Sequence, residues 1–140
     1  MPRVLAVDFG SRRIGVAVSD PLGIIASPLD TLEIRSDAEG VRRIAALCRE
    51  YGAGTLLMGY PLGNSGNKTE QTRLVDRVIV ELKAVIDIPV VTWDERYTSI
   101  QAQDILRSKG ISARDPKGKV DEMAARIILQ EYLDSRGASV

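Results

Sequence analysis

No histidine occurs in these 140 residues, and cysteine occurs once. The first absence removes Ser-His-Asp and Cys-His hydrolysis and every histidine-ligated zinc site. The second removes an intrachain disulfide framework and multi-cysteine zinc or iron–sulfur centres. Acid–base work is left to carboxylates, lysines, tyrosines or metal-bound water. Net charge is also lacking, because 19 basic residues balance 19 acidic ones. Bulk charge therefore announces no nucleic-acid partner, and any positive footprint has to be local. No apolar run approaches the ~18 residues of a membrane-spanning helix, and the first residues lead into an apolar strand rather than a signal peptide. The expected location is cytoplasmic, away from membranes.

What is present is an ordinary globular balance, 44% apolar and 27% charged. The length suits one domain over residues 1–140 with a real core. Residues 3–9 read as a buried strand, with Ile14–Ser19 as its partner across a Gly10-Ser11-Arg12-Arg13 turn. Asp20-Pro21-Leu22-Gly23 is a second turn, leading to a third strand within residues 24–33. Connections this short require an antiparallel meander. Ser36 and Glu39 have capping-box spacing ahead of a helix with Val41, Ile44, Ala45, Leu47 and Cys48 on one face, which makes Cys48 a buried structural thiol. Thr55–Gly59 is a central strand, followed by a glycine-rich polar loop to Lys68 and a helix carrying Leu74, Val75, Val78, Ile79, Leu82 and Ile86. A strand at Val90–Trp93, a helix at about 99–109, a polar loop at 110–118 and a last helix at about 119–135 complete the chain. The pattern predicts an α/β fold, one mixed five-stranded sheet with helices on both faces.

Acidic residues stand where that fold would gather them. Asp8 closes the first strand and Asp94-Glu95 follow the fifth. Asp121 opens the last helix, on the stripe of Ala124, Ala125, Ile128, Leu129 and Tyr132. A carboxylate on an apolar stripe needs a cation or strong donors, whereas a favourable helix dipole alone would explain only its residue type. Strand alternation sends Asp94 and Glu95 to opposite faces, so one is free to ligate metal while the other pairs with Arg96 or Arg73. Carboxylates without histidine form a cage for hard divalent cations, Mg²⁺ or Mn²⁺, whose natural task is phosphodiester chemistry.

Basic residues are placed to suit an anionic substrate. Arg12 and Arg13 lie in the turn beside Asp8, where Gly10 allows a sharp bend or a close approach of backbone to ligand. Arg96 adjoins Glu95, and Lys109, Arg114, Lys117 and Lys119 surround the loop before Asp121. Such a rim would hold backbone phosphates while the acids hold metal. Gly63-Asn64-Ser65-Gly66-Asn67 has the glycines of a phosphate cradle but lacks the spaced Gly-Lys-Ser/Thr of a P-loop, so it reads as a substrate-contacting or flexible loop of low specificity.

Four motifs in order carry a family resemblance over essentially the whole chain. Val7-Asp8-Phe9-Gly10-Ser11-Arg12-Arg13-Ile14-Gly15-Val16-Ala17-Val18-Ser19-Asp20 resembles the opening of the YqgF (RuvX) family. Met58-Gly59-Tyr60-Pro61-Leu62-Gly63, Trp93-Asp94-Glu95-Arg96-Tyr97-Thr98-Ser99 and Lys119-Val120-Asp121-Glu122-Met123-Ala124-Ala125 supply the rest. The resemblance implies an RNase H-like fold similar to RuvC-type resolvases. It also implies a nuclease maturing the 5′ end of pre-16S rRNA; a Holliday junction resolvase acting on DNA and a non-catalytic RNA- or ribosome-binding module are the alternatives. It implies Asp8, Glu95 and Asp121 as catalytic, Mg²⁺- or Mn²⁺-binding acids. Gly10, Arg12, Arg13, Arg96 and Lys119 would contact structured RNA or branched DNA, in a monomer or homodimer. Two departures stand out. The wider RNase H class often ends its fourth strand in an acid, where this chain has Met58-Gly59-Tyr60-Pro61, and Tyr97 and Ser99 vary a usual Leu-Thr-Thr segment.

Overall fold

The computed structural model describes residues 2–97 and 119–137, with the side chains at 97 and 119–122 outside that description. The strands are β1 (Arg3–Phe9), β2 (Arg13–Ser19), β3 (Ala26–Glu33), β4 (Ala53–Tyr60) and β5 (Val90–Asp94). The helices are α1 (Asp37–Glu50), α2 (Glu70–Lys83) and α3 (Lys119–Gly137), and a 3-10 turn at Glu95–Tyr97 follows β5. The helix expected at 99–109 and the loop at 110–118, with Lys109, Arg114 and Lys117, lie outside the described residues.

The sheet order is β3-β2-β1-β4-β5. β1–β2 and β2–β3 are antiparallel, as their short turns require, while β1–β4 and β4–β5 are parallel through helical crossovers. The first turn closes with the Gly10 N–H donating to the Arg13 carbonyl at 2.9 Å. A Cβ at Gly10 would stand 2.7 Å from that same oxygen, so a side chain there is excluded by space. The second turn is held by Asp20 Oδ1, which accepts from the Ile24 and Ile25 N–H groups at 2.7 and 2.9 Å.

Alternation along β1 divides the core into two layers. Leu5, Val7 and Phe9 face α1 and α2, which contribute Val41, Ile44 and Cys48, and Leu74, Val75, Val78 and Leu82. Val4 and Ala6 face α3, which contributes Ala124, Ala125, Ile128, Leu129 and Leu133. Full burial of a side chain such as Leu57 or Leu129 contributes about 1.5–3 kcal/mol. Helices therefore cover both faces, as the pattern predicts. Cys48 is buried, and that burial pushes its thiol up to about 11, as expected of a structural cysteine.

Strand polarity then fixes where chemistry can gather. β1, β3, β4 and β5 all run the same way, so their C-terminal ends share one edge. The N-termini of α1 and α2 open there too, capped by Ser36 and Thr69. At the opposite edge Gln130 of α3 ties down the start of β3, accepting from the Ala26 N–H and donating to the Ile24 carbonyl, both at 2.9 Å. The N-terminal end of α3 thereby lies toward the edge where β1 and β5 finish.

Candidate functional site

Asp8 is the next-to-last residue of β1 and is 6% exposed, the only charged residue buried to that degree among those described. Its position follows from alternation. Val4, Ala6 and Asp8 share the α3 face, and the carboxylate emerges where the apolar layer ends. Alternation along β5 places Val91 and Trp93 on the same face, and both pack into the α3 layer.

The Asp94–Glu95 pair left open by the pattern takes two different routes. Asp94 turns to Arg96: Nε lies 3.1 Å from each carboxylate oxygen, Nη2 lies 2.7 Å from Oδ2, and the Arg96 N–H donates to Oδ1 at 2.9 Å. The guanidinium beside Asp94 holds its carboxyl below the ordinary value. Arg73 takes no part in this pairing and lies instead on a groove beside α2. Glu95 begins the 3-10 turn and reaches back over the sheet, with Oε1 3.1 Å from the point where a Cβ on Gly59 would stand. The same point lies 3.7 Å from the carbonyl oxygen of Val7, the residue before Asp8. Glu95 is thus carried across the end of β4 toward β1.

Asp121 is the third residue of α3, three and four positions ahead of Ala124 and Ala125, which are 0% and 1% exposed against the sheet. The Asp121 and Lys119 side chains lie outside the described residues, as do residues 98–118. Among the described residues no group of three acidic side chains is positioned to hold a metal ion. Among the described acids at this edge, Asp8 and Glu95 lie nearest the end of β4, and both are hard oxygen donors of the kind Mg²⁺ and Mn²⁺ prefer. A buried carboxylate and a glycine cradle filled by a second carboxylate fit such an ion.

The predicted basic residues separate into two groups. Arg12 is exposed on the β1–β2 turn, and Arg13 begins β2 opposite Glu33. Gly10 contributes its N–H to the turn itself. Arg96 is engaged by Asp94 and lies against Gly66, whose Cβ position would be 3.1 Å from Nη1. Within the glycine-rich loop, two amides are committed to the loop's own carbonyls. Gly63 N–H donates to Asn67 O and Gly66 N–H to Gly63 O, each at 2.8 Å. Lys68 and Tyr60 pin the loop to α2 through Asp76, at 2.9 and 2.8 Å.

Sequence reasoning missed one feature here. A groove of about 670 Å³ opens between Ser11 of the β1–β2 turn and α2, where Arg73 and Arg77 line it beside Asp37 and Glu70. The i,i+4 spacing of the two arginines was a readable signal for a shared helix face.

The RuvX family, described as Holliday junction resolvase, matches residues 2–135. A protein of Acetivibrio thermocellus named "Putative pre-16S rRNA nuclease" is 42% identical over 139 residues, covering 96% of this chain and 97% of that one. One of the same name from Dictyoglomus turgidum is 41% identical over 133 residues, covering 95% and 94%. Among solved structures, T. thermophilus RuvC in complex with Holliday junction substrate aligns with TM-score 0.63 at 13% identity, covering 100% of this chain and 98% of that one. The Fowlpox virus resolvase bound to Holliday junction DNA aligns at 0.57 and 15%, covering 96% and 98%. These likenesses establish a RuvC-like, RNase H-like fold. With the family match spanning nearly its whole length, the chain belongs to the RuvX family.

Proposed function

We propose that this chain is a divalent-metal-dependent nuclease that hydrolyses phosphodiester bonds during maturation of the 5′ end of pre-16S rRNA, acting as one domain over residues 1–140. One observation carries the reading: in a RuvX chain, a buried Asp8 and a Glu95 drawn over Gly59 stand at the same sheet edge. Asp8 and Glu95 would hold Mg²⁺ or Mn²⁺. Asp121 is the third ligand, supported by its place one turn ahead of Ala124 and Ala125. When bound, the ion supplies Lewis acidity toward a phosphoryl oxygen and a more acidic water.

The remaining work belongs to residues that position the strand. Arg12, exposed on the turn next to β1, is suited to a backbone phosphate, and Arg13 and Lys119 extend the cationic rim. Arg96 contributes by fixing the loop around Gly66 and by occupying Asp94, which leaves Glu95 to the metal. Arg73 and Arg77 would carry the strand onward along α2, against the opposing charge of Asp37 and Glu70. A pre-rRNA substrate places the activity in the cytoplasm, with the assembling ribosome as partner.

The names of the relatives favour pre-rRNA, while the description of the family favours junction DNA as a second substrate. Symmetric junction cleavage would need two sites and hence a homodimer. Labelled pre-rRNA leader, four-way junction and single strands, incubated with Mn²⁺ and either wild type or Asp8→Asn, separate the readings. Cleavage of the leader that disappears in Asp8→Asn supports the proposal. Leader cleavage undiminished by Asp8→Asn would refute it.

A further inference from the structure

We infer that Gly59 is a positioning residue: its missing side chain makes the space through which Glu95 delivers to the end of β4 the carboxylate that β4 itself lacks. The inference rests on the reading of Glu95 as a metal ligand and explains how a strand ending in Gly59-Tyr60-Pro61 belongs to a metal site.

Backbone conformation does not call for glycine at this position. Positive φ occurs at Gly23, Gly52 and Gly66, and Gly59 is not among them. It sits inside β4, paired with Trp93 of β5, where glycine costs strand stability relative to alanine and gives nothing to pack. Space is what makes a side chain costly here. A Cβ would meet Ile128 Cδ1 at 3.0 Å and Glu95 Oε1 at 3.1 Å, both closer than ordinary van der Waals contact.

The register shows why this point matters. β1 and β4 pair through Val7 and Met58, so one step further Asp8 and Gly59 stand side by side on adjacent parallel strands. Alternation puts both on the α3 face, because Ala6 and Leu57, two residues earlier on each strand, are buried there. A side chain on Gly59 would therefore rise next to the Asp8 carboxylate. That place is taken by Glu95, coming from the far side of β4 after the fifth strand. The carboxylate is displaced in sequence but arrives at the fourth strand in space. Ile128 of α3 flanks the same point, so a Cβ there would press on both side chains.

Metal ligands tolerate small misplacement poorly, and loss of orienting contacts commonly costs 10- to 100-fold in affinity. Mn²⁺ titration calorimetry on wild type, Gly59→Ala, Glu95→Gln and the double variant tests the assignment. Thermal melts would confirm folding. Gly59→Ala is expected to weaken Mn²⁺ binding roughly tenfold, with little further loss when Glu95→Gln is already present. Because alanine also meets Ile128, Gly59→Ala/Ile128→Val removes that second contact; its affinity should remain low even where its melting temperature recovers. A crystal structure of Gly59→Ala gives a metal-independent readout, the Glu95 carboxylate displaced from over β4. Wild-type affinity in Gly59→Ala, or a loss fully additive with Glu95→Gln, would overturn the inference. Should Glu95→Gln bind Mn²⁺ as wild type does, the ligand reading fails. An undisplaced carboxylate in the Gly59→Ala crystal would then independently refute the positional claim.

Discussion

The Asp94 carboxylate grips the Arg96 guanidinium with both oxygens, and the same guanidinium rests on the backbone of Gly66 in the next loop. Sequence neighbours thus take different routes: Asp94 pairs with Arg96 beside the Gly66 loop, and Glu95 reaches over Gly59. The pairing depresses the Asp94 carboxyl relative to the unfolded chain, where it titrates near 3.8. A depressed carboxylate contributes stability that is fully present above that value and is lost as pH falls through the folded value. Asp94→Asn is therefore expected to lower stability by about 0.5–1 kcal/mol at pH 7, a figure discounted for the solvent around Arg96. The difference from wild type should shrink as acid denaturation is followed below pH 4. A constant difference down to pH 2 would contradict the ion-pair account.

Asp8 offers a test that needs no substrate. A ligand bound only to the folded state stabilises it by about 2.7 kcal/mol at a hundredfold excess over its dissociation constant. For a chain this size that corresponds to a rise of roughly 5–10 °C in Tm. Wild type should show this rise with saturating Mn²⁺, and Asp8→Asn should not. An equal rise in both proteins would move the ion elsewhere.

Asp76 joins Tyr60 at the end of β4 to Lys68 in the loop. Burial followed by the Asp76 carboxylate raises the Tyr60 phenol, and Asp76 in turn raises Lys68, so the three groups hold one another in their neutral–negative–positive forms at pH 7. Because Lys68 is well exposed, the pairing itself is weak. Asp76→Asn should speed hydrogen exchange at the Gly63 and Gly66 amides roughly two- to fivefold, leaving the β1 amides unchanged. NMR exchange rates decide this directly.

Cys48 should be inert in the native state. With its thiol pushed up to about 11 by burial, roughly one molecule in a thousand carries a thiolate at pH 8. Ellman's reagent should react only after denaturant is added, and rapid native-state labelling would show α1 to be loosely packed.

Much of this architecture was legible because it depends on local rules. The meander follows from turns too short for a crossover, and Ser36 caps α1 by accepting from the Glu39 N–H at 3.1 Å, as its spacing indicates. The reciprocal half went elsewhere: Glu39 Oε1 accepts from Arg35 N–H at 2.6 Å, one residue before the cap. The cap of α2 escaped notice because Thr72, rather than Glu or Gln, answers Thr69. Pattern could not choose between Asp94 and Glu95, since the choice depends on a glycine 36 positions upstream of Glu95 and on a helix beyond residue 118. The internal bonds of Gly63–Asn67 were hidden for a related reason: composition shows that amides are present, but not that two of them turn to the loop's own carbonyls.

Among the described elements, the strand bearing Asp8 comes first in the chain and the helix that roofs its face comes last. A nascent chain can assemble the meander early, yet Val4, Ala6 and Ala17 stay bare until residues 124–133 emerge. The face carrying Asp8 is thus completed only when α3 packs against it.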